Sequence, residues 1–386
     1  MAAKKTTKKK KAAKKKAAKR AGAKRAPARS RTKRDKVQSA SVALAEYQKV
    51  VAAATGAECV TLGSEDCLAN VPGHVSTQSL GLDYLCNRRG IPMGRVVELF
   101  GPPHIGKSTI LDHLFAEVQR VGGVGVLCEP ETARDRAYSA RLGVDPGKLQ
   151  YIQFPPAEFY LENILETFYT TIDFWRENHP DVPVVLGLDA LGGAQTREES
   201  QDKGGNKQPG VAAKVLREAS RKLPARLANT RIAVVICNHE YQRIQTAGRV
   251  GPRRETYGGG GLRHLATLRI QLFSVGEWVK RSDGEILGRV IGAKLVKNRL
   301  GNPWGETRLA MLSGHGISNV WTLYQEFRAR GWIVKSGSWS SLSLDGEILK
   351  FQGWSGLSAK CVEDPDLFGR LVAVWAQHQE AENADV

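Results

Sequence analysis

The sequence predicts an α/β fold: a mostly parallel sheet with helices on both faces, a short N-terminal helix and a small α+β region at the C-terminal end. Three observations predict it. Between about residues 95 and 239, apolar runs that read as buried strands alternate with segments of helical period. One of those runs, Arg95-Val-Val-Glu-Leu-Phe100, leads into the glycine turn Gly101-Pro-Pro-His-Ile-Gly106-Lys107-Ser108 and then into a helix. Beyond Gly316 the character changes to a stretch holding Trp321, Trp332, Trp339, Trp354 and Trp375, five of the chain's eight tryptophans.

The chain opens on a polycation. Residues 1–36 carry 18 of the 57 Lys/Arg but only Asp35 of the 39 acids, so the other 350 residues, with 39 bases and 38 acids, are nearly neutral. No Leu, Ile, Val or Phe precedes Val37, and a segment with nothing to bury reads as disordered. Such a tail either solubilises the chain or docks on nucleic-acid phosphates with release of counterions. From Ser39 to about Val50 a short helix is expected, with Val42, Leu44, Tyr47 and Val50 as its apolar positions. Residues 55–90 are rich in turns. The expected organisation is a basic tail (1–36), an oligomerisation segment (37–90), a core domain (91–316) and a small C-terminal domain (317–386).

The turn at Gly101–Ser108 matches G-x-x-x-x-G-K-[ST], the form of a phosphate-binding P-loop. Its glycines let successive N–H groups and the helix N-terminus converge on an anion. Lys107 would reach the β/γ-phosphates, and Ser108 would hold Mg²⁺. The helix continues through Thr109–Val118. Then come a strand at Gly123–Cys128, a helix at Arg134–Leu142, a strand at Tyr151–Phe154 and a helix at about Tyr160–Asn178. Val182–Asp189 reads as a strand, Val211–Ala228 as a helix and Arg231–His239 as a strand. Further strands are expected at Ala266–Phe273, Trp278–Lys280, Gly288–Asn298 and Thr307–Leu312, and a helix at Asp366–Gln377.

Ligands of parallel sheets lie beyond the carboxyl ends of the strands. There the sequence puts Gly101–Ser108, Glu129 and Glu131, Asp189, and Asn238 with His239. Asp189, at the end of an apolar run, has the form of a Walker B acid that would share a metal with Ser108. A carboxylate must orient the attacking water, and Glu129 and Glu131 are the candidates. The six cysteines show neither C-x-x-C spacing nor histidines at metal-ligand distance, and Cys128 and Cys237 read as small core residues. That usage suits a reducing compartment, no apolar run approaches a membrane span, and a secretory core is lacking. A cytoplasmic, nucleoid-associated protein is expected.

These residues resemble the bacterial RecA family. The similarity is carried in order by Gly90-Ile-Pro-Met-Gly-Arg-Val-Val-Glu-Leu-Phe-Gly-Pro102 with the P-loop, and by Glu131 eleven residues before Leu142-Gly-Val-Asp145. It continues through Asp189, Gly210-Val-Ala-Ala-Lys214, Asn238, Gly258–Gly261, Val296-Lys297-Asn298-Arg299 and Gly314-His-Gly-Ile317. It covers about residues 37–376. The resemblance implies a RecA-like ATPase core and a DNA-dependent ATPase using ATP and Mg²⁺. It also implies a helical homo-oligomeric filament that pairs single-stranded with double-stranded DNA, in recombination, repair and the SOS response to DNA damage.

By the same resemblance Glu131 is the water-activating residue. Gly101, Pro102, Pro103, His104, Ile105, Gly106, Lys107, Ser108 and Thr109 cradle the nucleotide, and Tyr138 stacks on adenine. Lys297 and Arg299 reach the ATP of the neighbouring subunit. The segments Thr196–Pro209 and Glu240–Tyr257 correspond to the two DNA-binding loops, the second offering Arg243, Arg249, Arg253 and Arg254 for phosphate tracking. His239 stands where the family carries a glutamine that senses the γ-phosphate. A histidine can donate the same hydrogen bond but changes charge near neutrality, so coupling of nucleotide to DNA is expected to depend more on pH. The other reading, a structural DNA-compacting protein with a degenerate ATP site, rests on the basic tail.

Overall fold

The computed structural model describes residues 33–87, 89–155, 158–201, 210–242, 254–281 and 283–384 of the 386. The chain divides into two units, Met1–Ser64 and Glu65–Val386. Most of the basic tail, residues 1–32, lies outside the described residues. In the first unit a 23-residue helix, α1 (Lys33–Thr55), extends past both ends of the expected Ser39–Val50. Its Val42, Leu44, Tyr47 and Val50 are 48–66% exposed.

The second unit begins with a small antiparallel pair, β1 (His74–Val75) and β2 (Ile91–Pro92), around α2 (Leu80–Leu85). The core follows as β3 (Val96–Gly101), α3 (Lys107–Arg120), β4 (Val124–Cys128), α4 (Arg136–Arg141), β5 (Gln150–Ile152), α5 (Leu161–Asn178), β6 (Val184–Leu188), α6 (Arg197–Gln201), α7 (Val211–Leu227), β7 (Ile232–Gln242), β8 (Arg254–Thr256), α8 (Gly259–Leu265), β9 (Leu268–Lys280), β10 (Ile286–Asn298), β11 (Glu306–Leu312) and β12 (Gly316–Ile317). The main sheet runs β12-β11-β10-β9-β3-β7-β6-β4-β5, with β8 on β7. From β9 through β5 the pairings are parallel; β10, β11 and β12 extend the sheet antiparallel.

Strand side chains alternate between the two faces. Val97 and Leu99 of β3, Val185 of β6 and Val235 and Cys237 of β7 pack with Leu111, Leu114 and Phe115 of α3. Val96, Val184, Leu186, Val234 and Ile236 pack on the other side with Ile164 and Phe168 of α5 and Leu216 and Leu223 of α7. Burial on both faces explains why these strands read as unbroken apolar runs. Cys128 and Cys237 are fully buried, as expected of core residues, and all six cysteines are unpaired.

Several boundaries moved for physical reasons. The helix expected from Arg134 starts at Arg136, because the Asp135 carboxylate accepts the Ala137 N–H at 2.8 Å and caps it. β9 is one 13-residue strand rather than two, kept continuous by irregular pairing with β10. After β12 the chain adds α9 (Asn319–Ala329), the antiparallel sheet β13 (Ile333–Ser336), β14 (Trp339–Leu344) and β15 (Glu347–Phe351), then α10 (Gly353–Glu363) and α11 (Pro365–Ala384). Phe327, Leu342, Phe351, Leu357 and Leu371 form its separate core.

Candidate functional site

β3 ends at Gly101 and α3 begins at Lys107, so the glycine turn spans a strand and a helix, as P-loop chemistry requires. Gly106 caps α3 with φ 104°, a backbone that side-chain-bearing residues rarely adopt, and a Cβ there would strike Met311. No side chain caps the first turn of α3, so its N–H groups and the positive end of its dipole are left for an anion. Lys107 is buried. Its Nζ donates to the carbonyls of Pro102 at 2.8 Å and Gly101 at 3.2 Å and lies 3.4 Å from His239 Nδ1. Burial lowers its pKa, and the nearby Asp189 and Glu131 work against that shift.

Register pairs Gly101 with His239 across β3 and β7, which seats the imidazole beside the loop. Its Nε2 lies 3.2 Å from Glu131 Oε1, so Lys107, His239 and Glu131 form a continuous polar chain. The two glutamates differ sharply. The Glu131 side chain is 44% exposed, whereas Glu129 is buried, accepts the Tyr151 hydroxyl at 3.0 Å and has its pKa raised by burial. Thr109 Oγ1 is 3.1 Å from the half-buried Tyr138 hydroxyl. Ser108 is exposed, and Asp189 follows β6 directly. Lys107, Ser108, Glu129, Glu131, Asp189 and His239 line one cleft of about 570 Å³ together with Pro103, His104 and Tyr138.

A family model described as the RecA N-terminal domain matches residues 40–318. The chain belongs to the RecA family. It is similar to Protein RecA of Methylobacterium sp. (strain 4-46), 31% identical over 345 residues covering 89% of each chain. Against Protein RecA of Blastochloris viridis the identity is 34% over 304 residues, 79% of this chain and 82% of the relative. RecA-family membership brings recombination, repair, ATP binding and DNA binding, and the family's members are in general DNA-dependent ATPases that use ATP and Mg²⁺. Among the described residues no helix is long and apolar enough to cross a membrane.

The donor set fits that ion. The Ser108 hydroxyl and Asp189 carboxylate are hard oxygen donors, and among the described residues no three His, Cys, Asp or Glu converge on a self-sufficient metal site. Mg²⁺ in a nucleotide site characteristically takes few protein ligands and completes its shell with phosphate oxygens and water.

Other residues singled out through the RecA resemblance lie elsewhere in the chain. Lys297 Nζ donates to the carbonyls of Arg263 at 2.5 Å, Ala266 at 2.6 Å and His264 at 3.5 Å, capping the C-terminal end of α8. Burial, then the positive charges of Arg299 and Arg269, bring its pKa down to about 8. Arg299 donates its backbone N–H to Thr267, which is level with the start of β3, so both cations lie towards the end of the parallel strands opposite the P-loop. Arg254 starts β8 and pairs with Glu240 at 3.4 Å. Arg243, Arg249 and Arg253 lie outside the described residues, as do 202–209 of the first expected loop.

Sequence reasoning missed Arg134 and Asp112. Arg134 Nη2 donates to Asp189 Oδ2 at 2.9 Å, Nη1 is paired with Asp112, and Nε is 3.8 Å from Glu129 Oε1. Asp112 also accepts the Ser139 hydroxyl at 3.0 Å, and burial pushes its pKa up to about 6 despite the arginine. The available signal was an acid between Leu111 and Leu114 on the apolar face of α3. A carboxylate there must have a partner.

Proposed function

We propose that this chain is an ATP-dependent recombinase that assembles as a helical filament on single-stranded DNA, pairs it with homologous duplex and exchanges strands. One observation carries the reading: the polar chain from Lys107 to Glu131 passes through His239 of β7, and β7 runs on into Glu240–Tyr257, the segment that corresponds to a DNA-binding loop. A change at the nucleotide would thus have a short covalent path to DNA.

In this mechanism the P-loop N–H groups and Lys107 hold the ATP phosphates, and Tyr138 takes the adenine face. Ser108 and Asp189 would hold Mg²⁺, whose charge would offset that developing on the phosphoryl oxygens. Glu131, open to solvent, orients the attacking water and accepts its proton. His239 donates towards the terminal phosphate. Lys297 and Arg299 would complete the cleft of an adjacent copy, as cations supplied in trans. Their distance along the sheet from their own P-loop supports that role. The exposed apolar residues of α1 support an oligomerisation role for the N-terminal segment.

The test joins single-stranded-DNA-stimulated ATP hydrolysis to electron microscopy of the same sample. Stimulated turnover and helical filaments are expected, and Lys107→Ala should abolish turnover and strand exchange. DNA compaction by the intact chain that survives Lys107→Ala, with no filament and no turnover, would instead favour a structural DNA-binding protein.

A further inference from the structure

Arg134 is the least accounted-for charge in the cleft. It lies just before α4, where the Asp135 cap fixes the backbone, and its side chain is only 10% exposed. One guanidinium serves three buried carboxylates, those of Asp112, Asp189 and Glu129. The arm is anchored at Asp112, itself held by Ser139, and its second nitrogen rests on Asp189, the carboxylate assigned to the metal.

The fork is also one hydrogen bond short of satisfied. Arg134 Nε is buried with no acceptor among the described residues. Glu129 Oε1 lies just out of range at 3.8 Å, while the hydroxyl of Tyr151 occupies the other oxygen, Oε2. A small swing about the Asp112 anchor would satisfy Nε on Glu129 and release Asp189. An unmet buried donor favours such a move, and a cation arriving at Asp189 would favour it further.

We propose that Arg134 is a positioning residue that competes with Mg²⁺ for Asp189 and so sets the metal concentration at which the site takes nucleotide. Without metal it sits on Asp189. With metal and nucleotide bound it moves to Glu129, keeping its hold on Asp112. The inference rests on the assignment of Ser108 and Asp189 to the metal in the proposed function.

The experiment titrates MgCl₂ against the full chain in the presence of a fluorescent ADP analogue and reads the Mg²⁺ midpoint for nucleotide binding. Arg134→Lys keeps a charge for Asp112 but cannot span to Asp189. The double variant Arg134→Met with Asp112→Leu removes both partners and leaves no orphaned charge between them. In both, the midpoint should fall three- to tenfold, while affinity at saturating Mg²⁺ changes less than twofold. Glu129→Gln, which weakens the second seat, should raise it. A midpoint that is unchanged or raised in the double variant overturns the proposal, as does a Glu129→Gln midpoint that fails to rise. Absence of nucleotide binding by the unaltered chain at any Mg²⁺ concentration would sink the nucleotide-site reading instead.

Discussion

His113, one turn beyond Thr109 on α3, is buried yet fully used. Its Nδ1 is 2.9 Å from Gln78 Oε1, and Nε2 accepts the Ile317 N–H at 3.2 Å. Donating on one side and accepting on the other requires the neutral ring, and burial brings its pKa down to about 4. The unfolded chain, with an ordinary histidine, takes up this proton first as pH falls. His113 therefore costs nothing at neutrality and destabilises progressively between pH about 6.5 and 4, by roughly 3 kcal/mol at most. Denaturant melts of the parent and His113→Gln should differ in slope against pH within that window and run parallel above it; equal slopes throughout would refute the assignment. Residues of this kind are hard to read from sequence. Arg134 finds Asp112 22 positions back and Asp189 55 positions on, and only the crossing of α3, α4 and β6 brings them together. Gly101–Ser108, Asp189 and His239 were legible because each stands at the end of an apolar run.

Elements were legible where both faces are buried, since a central strand then announces itself as an unbroken apolar run. α8 was not. It opens Gly259-Gly260-Gly261, residues with poor intrinsic helix propensity, and forms because Gly258 starts it in a left-handed conformation and α7 packs against it. The packing explains the glycine. A Cβ on Gly261 would lie 2.6 Å from the Ala213 carbonyl and 2.9 Å from the Arg217 N–H, inside backbone that cannot yield locally. Gly261→Ala should therefore destabilise the chain by about 1–3 kcal/mol, read as a lowered thermal midpoint, whereas Gly260→Ala, with open space around it, should not. β9 reads as two strands because Ser274-Val-Gly-Glu277 is largely polar and glycine-bearing; there the register with β10 shifts and Gly276 turns left-handed at φ 76°, a bulge after which the ladder resumes at Trp278.

For the molecule as a whole, the layered α/β core could be anticipated from strand–helix alternation, and so could a small α+β region at the C-terminal end with its last helix, but the individual strands of that region could not. There, short strands such as Ile333–Ser336 and Glu347–Phe351 bury one side chain each, too little pattern to read. Charge belongs to this scale too. The excess of bases in residues 1–36 should add a salt-sensitive contribution to duplex binding. Deleting that segment should flatten the slope of log affinity against log salt while sparing DNA-dependent ATP hydrolysis. An unchanged slope would count against it.

Lys297 has a further bearing on assembly. Its ammonium is already engaged by three carbonyls at the tail of α8, a seven-residue rod whose other end follows Tyr257. Tyr257 in turn accepts from Asn238 at 2.9 Å through its carbonyl and meets Glu199 of α6 through its hydroxyl. To offer that ammonium to an adjoining copy, the chain must first unlatch it and leave the rod's tail to water. Recruitment of each new protomer would then register, through the rod, where its own two loop segments begin.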